Sequence, residues 1–307
     1  MTMITITDIN IFPLKSCKGF TVKSWPYTDK GFKFDREWML ISVKRNCQIT
    51  QREYPKMSLI EASLTESLEY LIIKTPDNPL ELRIPTKLPD YPKMDTVVLF
   101  GNEVNAVDMG DEAADHLSAF LNYKVRLMKT PDDHVRKPAQ ELFDDSMNDV
   151  VTKTVFNNDK SLVAPILNSS FADNFPFLVI ADISLEDLNK KATDQIEMLR
   201  FRPNIVVTGT KQPFEEDTWH FIEINGENKS GFYCATCCDR CTIPNVNPSK
   251  GVKDVDVRVV LSSFRRNNKN QPLFGVYLLC TSKEGTISVG DTIQVVKSKD
   301  PPQLISA

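Results

Sequence analysis

Apolar and polar positions alternate from the start of the chain. Ile4 and Ile6, then Ile9 and Ile11, are separated by polar residues, and the slip in phase near Asp8 predicts a strand interrupted by a bulge. Trp38 to Val43 is a short apolar run of the kind found in buried strands. Asp95 to Phe100 and Glu103 to Asp108 flank Gly101-Asn102, a two-residue hairpin signal. The period then changes. From Asp111 to Leu121, Ala113, Ala114, Leu117, Phe120 and Leu121 fall on one helical face, with Gly110 before them and acidic residues in the first turn. Tyr123 to Met128 returns to strand character.

Residues 129–170 are rich in Asp, Asn, Lys, Ser and Pro with weak periodicity, which predicts a connection between two domains and a mobile loop. Ser184-Leu185-Glu186-Asp187 matches a capping box and starts a helix whose apolar face continues through Leu188 and Ala192. Strands are predicted at Asn204–Thr208, Val257–Phe264, Phe274–Cys280 and Thr292–Lys297, with Gly290-Asp291 turning a final hairpin. Many short strands and few helices predict a mixed α/β, predominantly β fold: two barrel-like β domains with a few peripheral helices. The expected boundaries are a first domain at 1–128, a connecting segment at 129–170 and a second domain at 171–300.

Length agrees, since 307 residues suit two domains of about 150 each. A net charge of −4 leaves no basic footprint and argues against nucleic acid as a partner, although one cleft can still be basic. No stretch approaches the roughly 20 apolar residues that span a bilayer, and the N-terminus has neither the positive nor the long apolar region of a signal peptide. Seven cysteines, an odd number, without such a signal point to free thiols in a reducing, cytoplasmic setting.

Four of those cysteines lie within eight residues, Cys234-Ala235-Thr236-Cys237-Cys238-Asp239-Arg240-Cys241. Soft sulfur at this density suggests a structural metal, a cofactor metal with one selected thiolate, or plainly buried thiols. A zinc module normally spaces its two Cys-x-x-Cys pairs by a dozen or more residues; here the pairs adjoin, and Cys17, Cys47 and Cys280 stand alone. The histidines, His116, His134 and His220, are scattered and read as helix, loop or surface residues. No Gly-x-Gly-x-x-Gly, P-loop or Gly-x-Ser-x-Gly pattern occurs, and 11 glycines argue against a dinucleotide cradle.

The flanking motifs carry a resemblance. Cys241-Thr242-Ile243-Pro244 leads into Asn247-Pro248-Ser249-Lys250-Gly251, followed by Pro272-Leu273-Phe274-Gly275-Val276-Tyr277 and Val289-Gly290-Asp291. Earlier come Phe12-Pro13-Leu14-Lys15-Ser16-Cys17-Lys18-Gly19, Phe34-Asp35-Arg36-Glu37-Trp38, Phe201-Arg202-Pro203-Asn204-Ile205 and Glu216-Asp217 before Trp219. In this order, over nearly the whole chain, they resemble the MOSC family of molybdenum-cofactor-binding domains with its N-terminal β-barrel domain, in the amidoxime-reducing component subgroup.

The resemblance implies the molybdenum cofactor, not pyridoxal phosphate, with Cys241 as the molybdenum-ligating, catalytic thiolate. It implies that Lys15, Ser16, Arg36, Arg202 and Asn204 hold the pterin and its phosphate, and that Asp173, Asn174 and Asp239 touch the cofactor. Arg240 beside Cys241 favours the deprotonated ligand, and arginine forks with a lysine suit a phosphate. Cys237 and Cys238 are not required. The implied activity is reduction of N-hydroxylated substrates, of amidoxime or hydroxylamine type, by oxygen abstraction at molybdenum. No ferredoxin-like cysteine set follows residue 280, so electrons would come from a separate protein, which the resemblance implies is a b-type cytochrome with its flavin reductase. Membrane-anchored relatives carry extra N-terminal sequence that is not seen here, so attachment to the mitochondrial outer membrane is not expected. Two other readings stay open: a cofactor carrier or sulfur-transfer protein without turnover, and a zinc-stapled interaction module.

Overall fold

The slip in phase at Asp8 is a bulge in the folded chain. The first strand, β1 (Ile4–Ile11), shifts register between Ile6 and Asp8 against Ile205–Thr208, which keeps Ile6, Ile9 and Ile11 buried on both sides of the slip. The computed structural model describes residues 3–138, 140–153, 163–227 and 229–305. In chain order the first half continues with β2 (Phe20–Val22), β3 (Ser24–Thr28), β4 (Gly31–Phe32), β5 (Trp38–Ser42), β6 (Glu61–Leu64), β7 (Tyr70–Thr75) and β8 (Asn78–Pro85). Then come β9 (Met94–Leu99), β10 (Asn102–Asp108), α1 (Asp111–Leu121) and β11 (Val125–Lys129). Helix α1 spans the expected residues, and its apolar stripe packs with Leu14, Trp38, Leu40 and Leu127. The β9–β10 turn is Phe100-Gly101, one residue earlier than expected. Both residues have positive φ (51° and 82°), the twist that a two-residue hairpin needs and that Gly101 adopts without strain.

The second half holds α2 (Asp145–Val151), β12 (Phe177–Ala181), α3 (Asp182–Asn189), β13 (Ile205–Thr208), β14 (Trp219–Asn225), β15 (Ser230–Asp239), β16 (Val246–Asn247), β17 (Val252–Lys253), α4 (Val257–Ser262), β18 (Leu273–Cys280), β19 (Glu284–Ser288) and β20 (Thr292–Ser298). Seven strands close into a barrel in the order β13-β12-β18-β15-β14-β20-β1, with β1 pairing back onto β13. The first strand of the chain therefore completes the barrel of the last third. Closure leaves no open edge, and inward positions such as Ile9, Phe177, Val207, Ile222, Phe232 and Leu278 fill one core. The first half forms a four-stranded sheet, β5-β11-β10-β9, and a three-stranded one, β6-β7-β8. The protein is thus mostly β, with a closed barrel, further sheets and few helices.

Several local expectations are corrected. Val257–Ser262 is helix α4, not a strand. Asp256 caps it by accepting from the Val259 amide (3.1 Å), and Val257 and Leu261, four residues apart, are its buried stripe. The third helix starts at Asp182 rather than Ser184. Ser184 is buried inside it, donating to Glu216 Oε2 (3.0 Å) and accepting from the Phe214 amide (2.8 Å), so it is no cap. Gly290-Asp291 turns the chain but makes no hairpin, because β19 pairs with β3 while β20 pairs with β14 and β1. Within 129–170, Asp144 caps helix α2 through the Met147 amide (3.0 Å), while residues 139 and 154–162 of that segment lie outside the described residues. Among the described residues no helix is long and apolar enough to cross a membrane.

Candidate functional site

Five of the segments that the sequence motifs singled out, those holding Lys15-Ser16, Arg36, Phe201–Asn204, Cys241–Ile243 and Tyr277, meet at one cleft with about 630 Å³ of unfilled space. Lys15 and Ser16 follow the end of β1, where the Lys15 amide donates to Trp38 O (2.8 Å) and the Arg36 amide to Phe12 O (2.8 Å). Arg202 caps the short 3-10 turn Met198–Phe201. Ser16, Arg36 and Arg202 all sit in the left-handed region, with φ of 63°, 51° and 55°. Strain of this kind persists only where the surroundings enforce it and is concentrated at binding sites.

Of the expected site residues, Lys15, Ser16, Arg36, Asp173, Arg202, Asn204, Asp239, Arg240 and Cys241 line the cleft; Asn174 does not. None of the three histidines lines it, and His134 and His220 are buried rather than on the surface.

One wall is cationic. Arg36 and Arg202 both lie over the Phe12 ring, at 4.5 and 4.2 Å. Arg36 pairs with Asp35 and donates from Nη2 to Arg202 O (3.0 Å), while Arg202 Nη1 reaches Cys17 O (2.5 Å). Arg202 Nη2 is buried with no hydrogen-bond partner. Lys15 Nζ pairs with Asp173 and lies 4.6 Å from the Phe100 ring centre. Burial pulls Lys15 down to about 8 against the opposing effect of Asp173. Burial, and next Arg36, pull Arg202 down to about 9. Both shifts come first from burial, which disfavours the charged forms, with neighbouring arginines adding to it.

Asn204 lines the cleft but is held structurally, donating to Asn10 O (3.2 Å) and accepting from the Leu178 amide (3.3 Å). Asp239 is exposed at the rim and accepts from Gln271 (3.2 Å).

The other wall carries sulfur. The register between β15 and β18 slips between Cys237 and Asp239, so that Phe274 and Gly275 together face Cys238. Gly275 takes a φ of 79° there, and a Cβ on it would meet Val179 O at 3.0 Å. Strand alternation turns the adjacent Cys237 and Cys238 to opposite faces, and a second register slip, between Cys234 and Thr236, brings Cys234 and Cys237 to the same one. Cys234 is inside the barrel, and Cys237 packs against the same core near Asp217. Cys238 and Cys241 face the cleft, Cys238 buried and Cys241 half-buried. Arg240 donates from Nη1 to Cys238 Sγ (2.9 Å) and from Nη2 to Phe201 O (2.9 Å). Its cationic form is favoured by Cys238, Tyr277 and Cys241 against the opposing effect of burial. Burial pushes the Cys238 thiol up to about 11, with Arg240 opposing. Among the described residues no three of His, Cys, Asp and Glu converge as a metal-binding group.

Sequence reasoning missed four contributors. Cys238, Phe175 and Tyr277 line the cleft, and Phe175 stacks on Tyr277 with ring centres 5.1 Å apart. Tyr277 does end a quoted motif. Arg136 lies in the segment read as a connection, and no local pattern marks it. It donates to Ser170 O (3.1 Å), Ser169 Oγ (2.8 Å), Asp173 O (3.0 Å) and Ala172 O, so it shapes the strap that presents Asp173.

The Glu216-Asp217 motif lies away from the cleft. Glu216 is fully buried, accepting from the Ala181 amide (3.2 Å) and Ser184, and burial, then Asp217, push its carboxyl up to about 7 from 4.5. The folded state therefore holds a proton that the unfolded state releases, so stability is expected to fall as pH rises from about 4.5 to about 7. Urea midpoints measured at about pH 5 and about pH 7.5 should differ for the wild type and converge in Glu216→Gln. Equal slopes in both proteins would remove Glu216 as the cause.

Residues 3–124 match the MOSC N-terminal beta barrel domain and residues 167–294 the MOSC domain. The chain is 30% identical over 303 residues to mitochondrial amidoxime reducing component 2 of Rattus norvegicus, covering 94% of this chain and 82% of that protein. It is 31% identical over 306 residues to the Homo sapiens protein of the same name, with the same coverage. It is also 28% identical over 289 residues to a molybdenum cofactor sulfurase of Oryza sativa subsp. japonica, covering 90% of this chain and 32% of that protein.

Proposed function

Because the chain belongs to the family of MOSC-domain proteins that includes the amidoxime reducing components, we propose that it binds the molybdenum cofactor in this cleft and reduces N-hydroxylated compounds. The observation that carries this reading is the pairing of two unlike walls. A buried cationic wall with an unpartnered Arg202 Nη2 faces a half-buried thiol, Cys241. A pterin ending in a phosphate and holding a soft metal needs both.

In this assignment Lys15, Ser16, Arg36 and Arg202 take the phosphate, and Asn204 keeps Arg202 in place by tying its strand to β1. Cys241 provides the thiolate ligand, and Arg240 holds the neighbouring Cys238 through its guanidinium. When bound, the molybdenum centre supplies two-electron oxygen-atom chemistry that no side chain offers. Phe175, Tyr277 and Ile243 give the cleft an apolar, aromatic side for a small neutral substrate. Electrons come from a separate donor, a b-type cytochrome served by a flavin reductase. A carrier or sulfur-transfer role is the second reading, and the likeness to the sulfurase favours it.

The test is protein made in a host that assembles the cofactor. One molybdenum and one pterin per chain, with reduction of benzamidoxime to benzamidine, are expected. Cofactor without reduction would leave the carrier, and zinc without pterin would overturn both readings. Arg36→Ala and Arg202→Ala are expected to lose most of the pterin fluorescence while melting as cooperatively as the wild type. Undiminished pterin in both would remove the phosphate assignment.

A further inference from the structure

Lys15 already has an anion, and the chain itself supplies it. The lysine side chain is 5% exposed, whereas its partner Asp173 is 47% exposed, so the carboxylate reaches a buried ammonium from the solvent side. The backbone behind Asp173 is fixed: Arg136 grips the carbonyls of Ala172 and Asp173, and the Phe171 amide donates to Arg36 O (2.9 Å). Only the side chain is free to turn. Lys15, Arg36, Arg136 and Arg202 crowd this corner, and Asp35 is committed to Arg36 and the Phe12 amide (2.7 Å). Asp173 is therefore the counterion of Lys15. It also stands where an incoming dianion would feel it as a repelling neighbour.

A cationic wall lining a cleft takes any small dianion that reaches it, and inorganic phosphate is the most common one. Selectivity between ligands that share a phosphate needs an element that penalises the wrong one. Taking the wall as the phosphate site proposed above, we propose that Asp173 is a specificity-determining residue whose carboxylate occupies Lys15 and keeps free inorganic phosphate out. A phosphate carried on a larger ligand, already anchored elsewhere in the cleft, meets the wall at high effective concentration and displaces the carboxylate toward solvent. This role opposes simple contact between Asp173 and the ligand, which would make its removal weaken binding.

The test is titration of the cofactor-free full-length protein with inorganic phosphate by calorimetry. Asp173→Asn is nearly isosteric and uncharged, and it is expected to bind phosphate roughly tenfold or more tightly than the wild type. Asp173→Ser should gain similarly, which guards against a fold defect peculiar to one variant. The gain should vanish in the double variant Lys15→Met, Asp173→Asn, as coupling between the two sites requires. Equal or weaker phosphate binding in both single variants would overturn the inference. Pterin content of the wild type from a cofactor-competent host is read separately. A gain in the variants with no pterin in the wild type would uphold Asp173 as the selector while sinking the molybdenum reading. Pterin in the wild type with no gain would do the reverse.

Discussion

Cys241→Ser is expected to abolish reduction of benzamidoxime and to change the molybdenum spectrum, while pterin stays bound through the cationic wall. A serine hydroxyl is protonated at neutral pH and a harder donor than a thiolate, so the substitution removes the deprotonated sulfur proposed as the ligand. Stability should hardly change, because Cys241 is half-buried and belongs to none of the packed cores. Cys237→Ser should keep full turnover, since its side chain lies near Asp217 away from the cleft. Cys238→Ser should be intermediate, because it loosens the Arg240 contact near Cys241 without removing the proposed ligand. The measurements are turnover with a chemically reduced donor and molybdenum and pterin content for each variant. Equal loss from all three would mean that the run acts as one structural unit.

Arg265→Ala is expected to cost about 3–5 kcal/mol of folding stability, the largest structural effect outside the cleft. The Arg265 and Asp217 side chains are 5% and 3% exposed and form an ion pair. Arg265 also donates to Leu273 O (3.1 Å) and lies 3.7 Å from the Phe214 ring centre. Without the guanidinium, Asp217 would be a buried carboxylate beside Glu216, with its Oδ1 already lacking a hydrogen-bond partner. Denaturant unfolding measures the loss. A second variant, Asp217→Leu with Arg265→Met, should recover much of it, because replacing a buried pair by apolar groups of similar volume is often neutral. A loss below about 1 kcal/mol in Arg265→Ala would show that solvent reaches the pair, as it does surface pairs.

Where the sequence could be read and where it could not follows from the range of the interactions. Helix α1 was legible to the residue because its stripe, its start and its acidic first turn are all local. So was the β1 bulge, because a slip in a period of two shows in any eight residues. Helix α4 was misread: Val257, Val259, Val260 and Leu261 favour a strand locally, and the Asp256 cap with burial of Val257 and Leu261 decides for helix. Ser184 was misread for the opposite reason. Its pattern is a cap, but its hydroxyl meets Glu216, 32 residues away.

The cleft divides the same way. Lys15, Ser16, Arg36, Arg202 and Cys241 could be named because each sits in a short motif, and the fold gathers them. The sequence alone determined the residue types present, the family and most local elements, with α4 and the start of α3 as exceptions. Only the tertiary structure decided that β1 closes the far barrel, that a register slip between Cys234 and Thr236 puts Cys234 and Cys237 on the core side while Cys238 and Cys241 line the cleft, that Arg136 shapes the wall, and that Asp173 neutralises Lys15. Those outcomes depend on pairing and charge contacts between residues far apart in the chain, and no local pattern of apolar and polar positions encodes such partners.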